Sequence, residues 1–159
     1  MKIAVVYYSY DENCAFVAEQ INACQNADIT RLKMRDGKRR SGSAKFFWGG
    51  SMVMFKKKPP LESYNFDPSA YDLIILGSPV WAGSPAPPLR TFLSNTKIEG
   101  KKIALFVCHA GGPDNALKKF EAMLPGNEIV SQIDFQSPAK ETPEDVKQRI
   151  SGWIKSITE

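Results

Sequence analysis

Residues 71–93 read YDLIILGSPVWAGSPAPPLRTFL and decide the fold. The stretch opens with a continuous apolar run, which is typical of a strand covered on both faces. A loop rich in proline and glycine follows. The segment PPLRTFL then predicts a short helix, because proline is well suited to a helix's first turn. The stretch therefore predicts a buried strand, a constrained loop and a helix in succession.

Four other segments predict strands, and each alternates with helix-forming sequence. The run from Lys2 to Tyr8 is apolar throughout, whereas ADITRLKM, residues 27–34, alternates less regularly and indicates a strand nearer an edge. The segments KKIALFVCH (101–109) and NEIVSQIDF (127–135) complete the set. Strands that alternate with helices predict a parallel sheet with helices on both faces, joined by right-handed crossovers. At 159 residues, we expect one domain spanning 1–159.

The helices carry start signals and apolar stripes. Asn13 is predicted to cap the first helix and Asp114 to cap the helix in DNALKKFEAML. The last helix is predicted to start at Thr142, with Pro143 in its first turn. Each helix is predicted to turn an apolar face inward. These faces carry Val17, Ile21 and Cys24 in the first helix, Leu117, Phe120, Met123 and Leu124 in the helix of DNALKKFEAML, and Val146, Ile150, Trp153, Ile154 and Ile157 in the last helix.

Three loops follow the long strands, and parallel sheets bind ligands at the carboxyl ends of their strands. Residues 9–13 begin a helix, where free amides and the helix dipole favour an anion. Residues 79–84 present Trp81, a natural platform for a flat aromatic ligand. Residues 109–113 include Gly111 and Gly112, which allow close backbone approach. Together these features predict a mononucleotide or flavin pocket.

Composition excludes several classes of protein. The apolar run at the start is too short for a signal peptide or a membrane span. Cys14, Cys24 and Cys108 are odd in number and lack CxxC spacing, which argues against both a disulfide framework and a zinc site. A single histidine, His109, gives no histidine pair for a metal. We expect a cytoplasmic protein with no metal and no membrane partner.

Positive charge is concentrated in one segment, residues 31–58. It holds ten Lys or Arg against one acid, Asp36, a charge of +9, whereas the rest of the chain sums to −5. Aromatic residues are interleaved with these charges, as in many nucleic-acid binders. The favoured interpretation is a solvated basic excursion whose aromatic residues dock on the domain. A nucleic-acid partner is therefore not expected.

The residues resemble a known family, the flavodoxins. VVYYSYDENCAFVAEQI is similar to the strand, phosphate loop and first helix of short-chain members, YDLIILGSPVWAGSPAPPLRTFL to their second flavin loop, and KKIALFVCHAGGPDNALKKFEAMLPGNEIV to their third. The FFWGG…FKKKPPLE segment resembles a bacterial subgroup. The resemblance implies a three-layer α/β fold with five parallel strands in the order 2-1-3-4-5, noncovalent FMN, and electron transfer.

The resemblance also implies the residues that contact FMN. Around the phosphate these are Ser9, Tyr10, Asp11, Glu12, Asn13 and Cys14, with backbone amides as the main donors; flanking the ring are Pro79, Val80, Trp81, Ala82 and Gly83, and at its other edge His109, Ala110, Gly111 and Gly112. For the ring of His109, a packed or hydrogen-bonded role in the loop is favoured over contact with the flavin. No separate catalytic residue is implied, because the chemistry belongs to the flavin.

The phosphate loop departs from the family pattern Ser-x-Thr-Gly-Asn-Thr. Asp11 replaces the first threonine, Glu12 the glycine and Cys14 the second threonine. If the carboxylates face the phosphate, unit charges about 4 Å apart repel by roughly 4 kcal/mol at an effective dielectric near 20. If they point to solvent, screening removes most of that energy. Glu12 is also awkward where the backbone needs a positive φ, and Glu12→Gly is predicted to tighten FMN binding.

The resulting function is FMN-dependent electron transfer. The sequence leaves two functions open. One is a pure electron carrier, whose redox partner is acidic if the basic segment steers it, and the other is an NAD(P)H-linked oxidoreductase. There is no GxGxxG fingerprint, so a nicotinamide donor would visit the flavin transiently. The alternative is a degenerate flavodoxin fold with weak or no FMN binding that acts as a binding module through residues 31–58.

Overall fold

The computed structural model describes residues 1–37, 42–141 and 143–159. Six strands are present: β1 Ile3–Tyr8, β2 Asp28–Leu32, β3 Leu73–Trp81, β4 Ser84–Pro85, β5 Lys102–His109 and β6 Glu128–Gln136. Five helices accompany them: α1 Asn13–Gln25, α2 Gly42–Met54, α3 Pro87–Asn95, α4 Ala116–Ala122 and α5 Pro143–Thr158. The predicted start of the last helix, Thr142, lies outside the described residues.

The sheet has the predicted topology. Its strand order is β2-β1-β3-β5-β6, and all four pairings along this path are parallel. Without the two-residue β4, which pairs antiparallel with β3, this is the order 2-1-3-4-5. The prediction of an edge position for β2 is confirmed, since β2 pairs only with β1 along the path.

Two apolar clusters fill the space between the sheet and its helices. One unites α1 and α5 with side chains such as Val5, Ile75 and Phe106. The other unites α3 and α4 with the opposite faces of the same strands, including Val6 and Leu76. Alternate residues of β1, β3 and β5 thus point into different cores, because successive strand side chains alternate between faces. The fold is therefore three-layered, as predicted.

The central strands β3 and β5 pack closely at Gly77. A Cβ placed on Gly77 would lie 2.0 Å from the Phe106 ring, which is fully buried on the neighbouring strand β5. The glycine therefore makes room for a large aromatic side chain in the middle of the sheet. This packing anchors β3 and β5, the two strands whose carboxyl ends support the candidate site.

Several local predictions are wrong. Asn13 does not cap α1, because the N-cap is Glu12, and the Asn13 side chain instead accepts a hydrogen bond from the Ala139 amide at 3.1 Å. Asp114 does not cap α4, whose N-cap is Asn115, and α4 is shorter than predicted. Cys24 is exposed, since the stripe of α1 ends at Ile21. For Asn13 the hydrogen bond from Ala139 shows a tertiary contact overriding the local signal.

Candidate functional site

The three predicted loops meet at the carboxyl ends of β1, β3 and β5. They enclose one cavity of about 440 Å³. Its lining from these loops and strand ends consists of Ser9, Tyr10, Asp11, Asn13, Cys14, Pro79, Val80, Trp81, Ala82, Cys108, His109 and Ala110. Helix α2 supplies a further wall of Lys45, Phe46, Trp48, Gly49 and Gly50. Of the predicted site residues, Glu12, Gly83, Gly111 and Gly112 are outside this lining.

The first loop connects β1 to α1, and its Ser9 side chain binds the start of α1. The Ser9 hydroxyl accepts a hydrogen bond from the Ala15 amide at 3.2 Å, inside the first turn of α1. The first amides of an α-helix have no partner within that helix, so their N–H groups at the start of α1 are suited to an anion. Asn13 and Cys14 bring this helix end to the cavity wall.

Glu12 adopts a left-handed backbone and turns away from the cavity. Its φ is 65°, as expected at a position where the family carries glycine. Both carboxylate oxygens bind the Arg31 guanidinium at the end of β2, at 2.6 and 3.2 Å. This hydrogen bonding raises the pKa of Arg31, and Arg31 remains a cation. Of the two alternatives for the carboxylates, facing the phosphate or pointing to solvent, the Glu12 side chain fits the second better, because it is 55% exposed and lies outside the cavity lining, paired with Arg31.

Asp11 lines the cavity and has a cation beside it. The Lys45 ammonium lies 3.4 Å from the Asp11 carboxylate, and both side chains are partly exposed, at 32% and 58%. Lys45 belongs to α2, so the basic segment supplies a positive charge to the acidic loop. The loop's two carboxylates are thus each paired with a cation from residues 31–58.

The second loop is a β-hairpin. Pro79, Val80 and Trp81 continue β3, and β4 pairs back through Val80 with Pro85 and Trp81 with Ser84. The two turn residues, Ala82 and Gly83, have φ of 48° and 68°, which is the geometry of a type I′ hairpin turn. The twisted hairpin carries Trp81 and Ala82 into the cavity wall and leaves Gly83 outside it.

Helix α2 closes over Trp81. The Trp48 ring is 5.4 Å from the Trp81 ring, in an edge-on arrangement, and Tyr10 lies 5.8 Å from Trp81 and 6.2 Å from Trp48. A Cβ on Gly49 would be 3.3 Å from the Trp81 indole, so this glycine permits the close approach. The cavity therefore has an aromatic wall built by two separate segments of the chain.

The third loop is held by His109. Its Nε2 is 2.8 Å from a carboxylate oxygen of Asp134 on the neighbouring strand β6, and its side chain is only 6% exposed. Its Nδ1 has no hydrogen-bond partner within the part of the chain that the structure describes. The hydrogen bond to Asp134 gives His109 the structural role predicted for its ring, and one buried ring nitrogen is left for another contact.

The remaining residues of the third loop divide into two groups. Ala110 lines the cavity, and its carbonyl accepts a hydrogen bond from the Gln136 side chain at 3.1 Å. Gly111 and Gly112 lie beyond the cavity lining, and Gly112 has a φ of 140°. The two glycines thus form the turn after the site instead of its wall.

Two buried thiols complete the cavity wall. Cys14 and Cys108 are both free and buried. Burial first, and a hydrogen bond with Cys108 second, hold the pKa of the Cys14 thiol well above its usual range. Cys14 therefore stays neutral and adds no negative charge where the family pattern has threonine.

A family model described as Flavodoxin matches residues 2–148. This chain belongs to the flavodoxin family. Within the ranges 1–37, 42–141 and 143–159, no group of three or more potential metal ligands occurs, and no helix has both the length and the apolar character to cross a bilayer. No curated protein matches the sequence.

Solved structures resemble this flavodoxin over most of its length. A flavoprotein from Lactobacillus acidophilus NCFM, solved in complex with FMN, is 27% identical, with a TM-score of 0.74 over 84% of this chain and 92% of that chain. A candidate flavoprotein from Bacteroides eggerthii shares the fold at 21% identity and a TM-score of 0.79, covering 99% and 98% of the two chains. Flavodoxin 2 from Bacillus cereus shares it at 21% identity and a TM-score of 0.61, covering 98% and 97%.

Sequence reasoning missed the part of this flavodoxin's site that comes from α2. The sequence predicts a basic excursion whose aromatic residues dock on the domain, and this holds for Trp48, which packs against the second core cluster, but not for Phe47 and Phe55, which are 79% and 67% exposed. No site role is predicted for Lys45, Gly49 or Gly50. The available signal was the pair of glycines directly after a tryptophan, since glycine in a helix interior usually marks a close approach of another group. Cys108 was also missed as a wall residue, although it directly precedes His109.

Proposed function

We propose that this protein binds FMN noncovalently in the cavity and transfers electrons through it. The observation that carries the proposal is the convergence of residues 9–11, 13–14, 79–82 and 108–110 on one cavity whose size suits a small cofactor. The L. acidophilus protein, 27% identical, was solved in complex with FMN, which supports the same cofactor here. Bound FMN supplies reversible electron transfer that no amino-acid side chain provides.

The cavity's polar end fits the phosphate. The start of α1 would donate amide hydrogen bonds, and the dipole of that helix favours an anion there. Lys45 would offset Asp11, which is the one carboxylate on the cavity wall. Because Glu12 is held by Arg31 away from the lining, its charge opposes the phosphate less than its place in the sequence suggested.

The cavity's aromatic wall fits the ring. Trp48, Trp81 and Tyr10 offer apolar surface that excludes water from a flat ligand. The unpartnered Nδ1 of His109 can accept a hydrogen bond from an N–H group of such a ligand. A buried polar atom without a partner calls for an explanation, and a ligand donor supplies one.

Flavin titration tests this function. Adding the purified apoprotein to FMN is expected to quench flavin fluorescence saturably, because the ring would lie against tryptophan. Trp81→Leu should reduce the quenching and weaken binding, whereas Trp153→Phe, which changes a tryptophan in the opposite core, should not. Absence of saturable FMN binding by the unmodified protein would refute the proposal.

A steady-state assay separates a carrier from a reductase. Hydride transfer from a nicotinamide to a flavin needs no acid, base or nucleophile from the protein, so the assay distinguishes the two functions where the residues of the site do not. A pure carrier loaded with FMN should oxidise neither NADH nor NADPH at an appreciable rate. Turnover with a small acceptor and no partner protein would assign an NAD(P)H-linked oxidoreductase instead. Electron delivery only in the presence of a second redox protein would assign the carrier.

The alternative of a binding module without flavin has less support. Helix α2, which lies within the basic segment, contributes Lys45 and Trp48 to the cavity, so this part of the segment belongs to the site and is not a separate module. Binding of DNA or RNA that weakens steeply with salt, in a protein that fails to bind FMN, would restore the alternative.

A further inference from the structure

Helix α2 is apolar on its outer side as well as on the side that packs. Phe47 and Met54 are 79% and 75% exposed, and Phe55, directly after the helix, is 67% exposed. These three residues, here called the aromatic face, lie outside the cavity lining, whereas the exposed Phe46 belongs to the cavity wall. A helix at a water-facing surface normally carries polar residues outward, so this outer side is built to be covered.

The aromatic face is one continuous patch. Met54 follows Phe47 by seven residues, which is close to two helical turns, so the two side chains project from one side of α2. On the other side, Trp48 and Met52 pack against the second core cluster. The fold therefore fixes α2 with this patch outward.

Lysines stand at the end of the patch. Lys56 adopts a left-handed backbone with φ 49°, and the amides of Lys56 and Lys57 bind the carbonyls of Val53 and Met52 at 3.1 and 2.9 Å. This Schellman motif ends α2 and directs the chain into three exposed residues, Lys56, Lys57 and Lys58. The sequence contains no acid between Asp36 and Glu62. The positive charge beside the patch is therefore complementary to an anionic occupant.

We infer that the aromatic face and Lys56–Lys58 bind an anionic phospholipid surface. Phenylalanine and methionine side chains can enter the boundary between headgroups and acyl chains while lysines reach the headgroup phosphates. The sequence predicted no membrane partner because it lacks a spanning segment, but a helix that lies in the interface needs none. The inference is independent of whether the cavity binds FMN.

Two other occupants fit less well. A second copy related by two-fold symmetry would bring two strongly basic segments together, and like charges disfavour that contact. A protein partner would need acidic side chains placed opposite Lys56, Lys57 and Lys58 beside an apolar patch that fits the aromatic face. An anionic lipid surface offers headgroup phosphates and acyl chains together, without any fixed geometry.

Vesicle co-sedimentation tests the inference. The protein is expected to bind vesicles of phosphatidylcholine that contain roughly 30–40% phosphatidylglycerol. It should bind vesicles of pure phosphatidylcholine only weakly. Binding should fall as salt increases. Equal binding to both vesicles, or no binding to the anionic vesicles at low salt, would overturn the inference.

Matched variants locate the surface. Replacing Lys56, Lys57 and Lys58 by Gln should weaken binding by about fivefold per lysine. The same charge change at Lys118, Lys147 and Lys155, which lie on α4 and α5, should have a clearly smaller effect. Phe47→Ser with Phe55→Ser should weaken binding roughly tenfold or more, and Ile29→Ser, at an exposed apolar residue on β2, should not.

Two further outcomes would also overturn the inference. One is a dimer in solution that the Phe47 and Phe55 variant dissociates, because it would make the patch an interface between copies. The other is binding to polyglutamate without binding to anionic vesicles, because it would identify an acidic protein as the partner. Circular dichroism of the variants confirms that they remain folded, so that lost binding reports the patch.

Discussion

At the scale of single residues, the phosphate loop depends on where each carboxylate is directed. Glu12 has a φ of 65° and forms an ion pair with Arg31, whereas Asp11 lines the cavity and has Lys45 beside it. Two acids that look equivalent in the sequence therefore have different consequences for an anion. Among the described residues, Asp11 is the carboxylate on the cavity wall, and Lys45 is the cation paired with it.

Comparing Glu12→Gly with Glu12→Gln isolates the backbone effect, because both variants lose the ion pair with Arg31. Gly should be more stable to urea than Gln by about 1 kcal/mol, since only glycine adopts the left-handed backbone without strain. FMN affinity should be the same in the two variants within about twofold, because the loop already has its shape. Much tighter binding by the Gly variant alone would show that the left-handed position distorts the loop in the native protein.

Lys45 and Asp11 are expected to be coupled in FMN binding. Lys45→Gln should weaken FMN binding by roughly tenfold, because it leaves Asp11 unopposed near the phosphate. Asp11→Asn should tighten binding, and the Lys45 substitution should cost less in that background. Fluorescence titration of the four proteins completes the double-mutant cycle. Additive effects would show that the ion pair does not act on the cofactor, and Lys140→Gln serves as a charge control on the surface.

At the scale of elements, α2 is joined to the hairpin by a glycine contact. Gly49 and Gly50 are adjacent in one helix, but a Cβ on Gly49 meets Trp81 at 3.3 Å and a Cβ on Gly50 meets nothing within 4 Å. The helix thus has one glycine that packing requires and one that packing does not. The difference allows the contact to be tested without changing helix propensity.

Gly50→Ala should raise the free energy of unfolding by about 0.5–1 kcal/mol, the usual gain of alanine over glycine in a helix. Gly49→Ala has the same propensity gain but should be less stable than Gly50→Ala, because Trp81 must move by a few tenths of an ångström. Urea unfolding measures the difference, and tryptophan emission should change only for Gly49→Ala. Equal stability of the two variants would mean that α2 does not press on Trp81.

The sequence predicted the elements whose signals are local and missed those that depend on distant partners. The strand at residues 73–81 and the proline-led α3 follow from apolar runs and turn residues. The direction of the Glu12 side chain depends on Arg31, which is nineteen residues further along the chain, on β2. Helix α2 has apolar residues on both sides and two glycines, so it lacks the periodicity by which helices are found in a sequence.

At the scale of the whole molecule, ligand binding should stabilise the fold, because only the folded chain forms the cavity. With FMN at a hundred times its Kd, the free energy of unfolding should rise by about 2.7 kcal/mol. For a chain of this length the thermal midpoint should rise by roughly 5–10 °C. Riboflavin, which has the same ring without the phosphate, should give a smaller shift at the same concentration. Equal shifts with both flavins would show that the loop at residues 9–14 contributes nothing to binding, and shifts with neither would show that the cavity holds no flavin.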